Sequence, residues 1–229
     1  MVIILKALAA VIFGVIAGCG AVYVFNKMPA KWLCDYNEVP PAELTDPYIQ
    51  RVKGYPWKWV YSAGFACLLV RLLFFDVQFA VAGLFACWAL LMVGLADLKY
   101  MIIPDQFVIM LALSAVGFIP SHENVWSPVI GIAIGGGVML ITGLLGGAIF
   151  RKEVMGFGDV KLFAALGLAL GAKGTLIVLI GSSICSGIAA ASGLASGKYK
   201  KDDVKPLGPY ICGWGAFYIF IIAPMLIQI

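Results

Sequence analysis

Two short stretches hold the side chains of this chain best suited to chemistry. The first reads Leu95-Ala96-Asp97-Leu98-Lys99 and runs on to Ile103-Pro104-Asp105; the second is Gly156-Phe157-Gly158-Asp159-Val160-Lys161. Each sets an aspartate at the edge of a long apolar segment. A carboxylate at mid-membrane costs about 2.5–3.5 kcal/mol on insertion scales, so it is rarely kept without a function. Two such carboxyls brought together can act as acid and base on one bond, which is what peptide hydrolysis by an aspartyl mechanism requires.

Plainer readings compete at each position. Asp159 suits a helix cap, because aspartate is a favoured N-cap and an apolar segment follows. Asp105 follows Pro104 and opens another apolar segment, so capping accounts for it too. Asp97 has no such account: it ends an apolar segment, where the negative end of the helix macrodipole disfavours an anion. The expected reactive pair is therefore Asp97 and Asp159. Gly156, Gly158, Pro104, Asp105 and Lys161 are the supporting positions. Lys99 and Lys161 read as anchors to lipid headgroups. His122 is the single histidine and falls in a short loop with Glu123, away from the aspartates; one histidine makes no metal site. The aromatic residues Trp32, Tyr36, Trp57 and Trp59 fit either an interfacial belt or the lining of a substrate entrance.

The elements that must position these residues follow from composition. Of 229 residues, 62% are apolar and 12% charged, with a mean hydropathy of +1.00. That defines an all-α polytopic membrane protein. About eight transmembrane helices are expected, near 2–25, 57–75, 77–96, 106–120, 128–150, 160–171, 174–194 and 207–227. The 106–120 and 160–171 segments are short for a full crossing. Residues 1–75 form an N-terminal region, two helices around a loop at 26–56; residues 76–229 form a six-helix core. Ile16-Ala17-Gly18-Cys19 resembles a lipoprotein cleavage box, but Lys6 follows an apolar start, so a first transmembrane helix is expected instead.

Thirteen of the sixteen Lys and Arg residues fall in one set of loops, including Lys27, Arg51, Lys99, Arg151, Lys152, Lys198, Lys200 and Lys201; only Lys6, Arg71 and Lys173 fall in the other. The positive-inside rule puts the first set in the cytoplasm, both termini outside, and both aspartates at the cytoplasmic face. The net charge of +4 lies in these loops and is no nucleic-acid signal. Asp202 and Asp203 read as solvated within a basic loop. Of the six cysteines only Cys34 lies in a polar stretch, and no CxxC occurs, so a structural zinc site is not expected.

These motifs resemble the type IV prepilin leader peptidases, polytopic GxGD-type aspartyl proteases of the bacterial inner membrane. The resemblance rests on Asp97, Pro104-Asp105 and the Gly156–Lys161 stretch. Asn26-Lys27-Met28-Pro29 and Pro206-Leu207-Gly208-Pro209-Tyr210 add to it. It implies removal of a short basic leader from type IV prepilins or type II secretion pseudopilins, on the cytoplasmic side, by Asp97 and Asp159 and without a cofactor. Many members carry two CxxC pairs in the first cytoplasmic loop, a zinc-binding feature of enzymes that also N-methylate the cleaved pilin. This chain has only Cys34 there and resembles a short form without the tetrad. S-adenosylmethionine is implied only if that methylation is retained. A presenilin-like protease with other substrates and a small proton-coupled transporter remain the alternatives.

Overall fold

The computed structural model describes residues 1–34, 39–46, 49–151, 155–198 and 205–227. Tyr36, Lys152, Lys200, Lys201, Asp202 and Asp203 lie outside the described residues. Among those described the fold is all-α, with no strand. Seven helices carry it: α1 (Val2–Lys27), α2 (Trp57–Phe75), α3 (Val77–Tyr100), α4 (Asp105–Phe118), α5 (Ser127–Phe150), α6 (Phe157–Ala195) and α7 (Gly208–Phe217). The last runs on through a π-helical turn at Tyr218–Ile222 to Ala223–Ile227. Six spans are long and apolar enough to cross a membrane, and α4 is the shorter apolar helix between them.

The eight expected segments become seven because two of them join. In α6 the chain is continuous through Gly171, whose φ of 69° and ψ of −176° lie in a region essentially reserved for glycine. The chain reverses there. A side chain at Gly135 would meet both the Phe163 carbonyl and the Thr175 methyl, residues that a straight helix would hold about 18 Å apart. Two hydroxyls take up the polar groups freed by the break. The Ala172 N–H donates to Ser127 Oγ at 3.1 Å, and Thr175 Oγ1 donates to the Gly171 carbonyl at 2.6 Å. The sequence places Lys173 in a turn between two helices; one glycine makes that turn.

Apolar side chains cannot drive helices together in lipid, so association relies on close packing of small residues. Gly14 and Gly18, one turn apart on α1, leave no room for a side chain against Ala66 and Ser62 of α2. Gly131 and Gly135 of α5 lie in the same way against the backbone of α6 at Gly167 and Phe163. α3 is the central element: Ala80, Ala86, Ala89, Met92, Val93 and Ala96 are wholly buried on it. It starts at Asp76, whose carboxylate accepts from the Phe79 N–H at 2.7 Å, and stops at Met101 in a left-handed C-cap.

Gly171→Ala forces a side chain into a glycine-only conformation and against Ser127 and His122. It should lower stability by about 1–3 kcal/mol, read as a lower melting temperature in detergent. Gly187→Ala, where nothing lies within 4 Å of the added methyl, should leave it unchanged.

Candidate active site

Asp97 occupies the last turn of α3 and is 6% exposed. Its Oδ2 accepts the Gly208 N–H at 2.8 Å, the first amide of α7. The negative end of α3 thus faces the positive end of α7, and this offsets the unfavourable placement visible in the sequence. Only glycine fits at 208, since a methyl there would stand 2.6 Å from the same carboxylate oxygen. Pro209, at the start of α7, opens the helix without sacrificing an internal hydrogen bond.

Asp159 lies in the first turn of α6, which begins at Phe157 with Gly156 as its N-cap residue. Its N–H donates to the Gly156 carbonyl at 3.1 Å, so Asp159 does not take the cap position itself. Its Oδ1 is buried and has no hydrogen-bond partner. The loop before it packs on the strand of chain that follows Asp97: a methyl on Gly158 would stand 3.0 Å from Ile103 Cβ. Gly156 has extended backbone and an uncrowded Cβ position.

Asp97 and Asp159, 62 positions apart in sequence, line one cavity of about 400 Å³. Met101, Ile102, Ile103 and Pro104 form one wall, and Gly156, Phe157 and Gly158 another. Lys31, Trp32 and Cys34 close a third side. Trp32 stands edge-on to Phe107 at 6.2 Å, which in turn meets Trp88 at 5.9 Å. Trp32 therefore lines the cavity, while Trp59, at 65% exposure, faces outward. The two readings of the aromatic set divide between residues.

Asp105 lies in the same cavity but does not act as the N-cap of α4, a position held by Pro104. Its two carboxylate oxygens accept from Lys161 Nζ at 3.0 and 3.1 Å. Lys161 is thus bound within the protein, not extended to headgroups. Lys99 donates to the Arg51 carbonyl. Arg51, which the sequence marks only as a loop cation, and Asn26, named there only within the Asn26–Pro29 stretch, have structural roles. The Arg51 guanidinium donates to the carbonyls of Phe25, Met28 and Leu44, and Asn26 exchanges two hydrogen bonds with the Val52 backbone at 2.8 and 2.9 Å. Together they hold the loop carrying Trp32 over the site.

His122 lies at the other end of the fold, in a second cavity with Glu123, Ser127, Lys173 and Tyr218. Burial pushes its imidazole below the ordinary histidine value. Among the described residues, no three His, Cys, Asp or Glu side chains are grouped as metal ligands would be.

This is a helical membrane fold in which two aspartates, one of them in a Gly-x-Gly-Asp stretch, converge on one cavity. Residues 84–191 match the sequence profile of the type IV leader peptidase family. The chain is 34% identical over 140 residues to a prepilin leader peptidase/N-methyltransferase of Xanthomonas campestris pv. campestris, covering 58% of this chain and 47% of that protein. A protein of the same description from Aeromonas salmonicida is 32% identical over 142 residues, covering 58% of this chain and 47% of its own length. One from Legionella pneumophila is 31% identical over 150 residues, covering 64% and 51%. The chain thus spans about half the length of these curated relatives. No solved structure matches it.

Gly208→Ala crowds the Asp97 carboxylate and should cost about 1–3 kcal/mol of stability, as over-packing does. Gly213→Ala on the same helix meets nothing within 4 Å and serves as the neutral comparison. Thermal unfolding of the two variants, side by side, tests the contact.

Proposed function

We propose that this protein is a membrane aspartyl endopeptidase that removes the short basic leader of type IV prepilins or type II secretion pseudopilins. The single observation carrying the reading is the convergence of Asp97 and Asp159 on one cavity, within the segment that matches the type IV leader peptidase family.

The chemistry follows from two carboxyls held close together. Both cannot ionise cheaply at once, so one proton is shared between them and they titrate as a pair. The ionised carboxylate takes a proton from water as its oxygen attacks the scissile carbonyl carbon. The protonated carboxyl donates to the carbonyl oxygen. Collapse of the tetrahedral intermediate breaks the C–N bond, and a proton returns to the leaving amine. The step uses only the two carboxyls and water. The Gly208 amide holds Asp97 in place throughout, and Asp159 Oδ1 is left free of protein partners to meet water or substrate.

The bacterial inner membrane is the proposed location, with residues 1–75 as an N-terminal unit and 76–229 as the peptidase core. The packing of α1 on α2 and the profile match beginning at residue 84 support this division. The excess of basic residues at the aspartate end supports a cytoplasmic site and external termini. The relatives' names include an N-methyltransferase activity, which needs a methyl donor such as S-adenosylmethionine. No residue of this chain is assigned to that reaction.

Asp97→Asn and Asp159→Asn should each abolish cleavage of a prepilin in detergent or lipid, because the carboxyls act as a unit. Retention of more than about a tenth of wild-type turnover would remove that residue from the mechanism, since acid–base catalysis is worth roughly a hundredfold or more.

The topology has its own test. In a background without native cysteines, a cysteine at position 123 should react with an impermeant reagent added outside intact cells, and one at 198 should not. The reverse pattern would invert the orientation.

A further inference from the structure

The ion pair between Asp105 and Lys161 joins the two segments that carry the aspartates. Asp105 is the first residue of α4, reached from Asp97 by the turn at 101–104. Lys161 lies on the first turns of α6, two residues beyond Asp159. The lysine is bound to both oxygens of Asp105, at 3.0 and 3.1 Å, and stands 5.3 Å over the Phe157 ring. Its side chain is 36% exposed and that of Asp105 32%. A pair at a fully solvated surface contributes little. This one is half-buried, bidentate, backed by an aromatic face and set in the wall of the cavity that holds Asp97 and Asp159.

The pair has one neighbour in the same role. Gly158 packs on Ile103, so the backbone before Asp159 already lies against the turn after Asp97. That contact is apolar and short, and it fixes the approach of the two segments at one point. The Lys161–Asp105 bridge supplies the second point, on the far side of Asp159. Two points define the direction of the first turn of α6, and so the direction of the Asp159 side chain. Asp159 itself has no hydrogen bond through Oδ1 to hold it.

We propose that Asp105 and Lys161 form a positioning pair that sets Asp159 against Asp97 without either touching the substrate's reacting atoms. This rests on the reading of Asp97 and Asp159 as the catalytic pair. Misplacement of a reacting group by about 1 Å can cost on the order of a hundredfold in rate. The effect therefore belongs in kcat, with substrate binding little changed.

The test uses the full chain in detergent or lipid, with a synthetic prepilin as substrate. Lys161→Met and Asp105→Asn should each lower kcat at least about tenfold, with KM within about threefold of wild type. The double variant should lose no more than either single one, because both remove the same bridge. Lys161→Arg, which keeps the charge and the two-pronged geometry, should stay within about threefold of wild type. All four should remain folded at the assay temperature, as read from their melting curves.

Losses that multiply in the double variant would overturn the pair, as would a wild-type rate for Lys161→Met. A rate loss accounted for by the fraction of protein unfolded at the assay temperature would make the bridge a stability element only, and would equally overturn the proposal. Inactive Asp97→Asn beside fully active Lys161→Met would defeat this inference alone. Active Asp97→Asn and Asp159→Asn would defeat the catalytic reading on which it rests.

Discussion

Asp97 occupies the end of α3 where peptide carbonyls gather partial negative charge, and it is buried there. Its position is tolerable because α7 begins beside it and offers a free amide from its positive end. Most of the site's architecture depends on that meeting of helix termini. α7 must start at residue 208, 111 positions beyond Asp97, and the residue there must lack a side chain. α6 presents its own N-terminal turn to the same cavity, with Asp159 in it. Two helix N-termini thus converge on two carboxyls, a polar centre made from backbone in a protein that has few polar side chains to spend.

Glycine makes the second constraint work. The 14-residue α4 and the first arm of α6 are each about 21 Å long, against about 30 Å for the hydrocarbon layer. Both arms carry the site at one end and meet the His122 region at the other, where the Gly171 backbone lies against His122 and Ser127. Short helices make few contacts, so their grip depends on how closely they pack. Gly131, Gly135 and Gly167 allow α5 and the first arm of α6 to touch backbone to backbone. The returning arm then packs on α7 through Gly181 against Trp214, and on the π-helical turn after it through Gly174 against Tyr218, which ties α6 to the helix whose first amide binds Asp97.

Length and hydropathy made the helical class and most spans legible, because a bilayer demands apolar runs of fixed size. The reversal at Gly171 was half legible. The sequence marks a boundary near 171–174 but not that one residue makes it, since any of several glycines can supply a positive φ. At the site, Asp97 was legible as an anomaly: its position at a helix end has no local justification. The partner that justifies it was not, because the Gly208 amide is a backbone group with no signal of its own. Lys161 was read as a headgroup anchor for a similar reason. Local sequence puts it at a membrane edge, and only the fold brings Asp105, 56 positions away, to its amine. Hydropathy and spacing register where a charge lies along the chain, not what faces it.

The family match from 84 to 191 includes Asp97 and Asp159 but stops short of the groups that complete their surroundings. Gly208 lies 17 residues beyond it. Trp32 lies well before it, yet reaches the cavity because Arg51, Asn26 and Lys99 bind the loop to backbone carbonyls around it. A segment cut at the match boundaries would leave Asp97 at the negative end of α3 with no amide to face. It would also open the cavity on the side closed by Trp32 and Cys34. The carboxyls are encoded in the middle of the chain, but the environment that lets one of them stay buried is supplied by its two ends. The structural surroundings of the two carboxyls therefore extend beyond the stretch that sequence comparison recognises, out to where Asp97 finds its hydrogen bond.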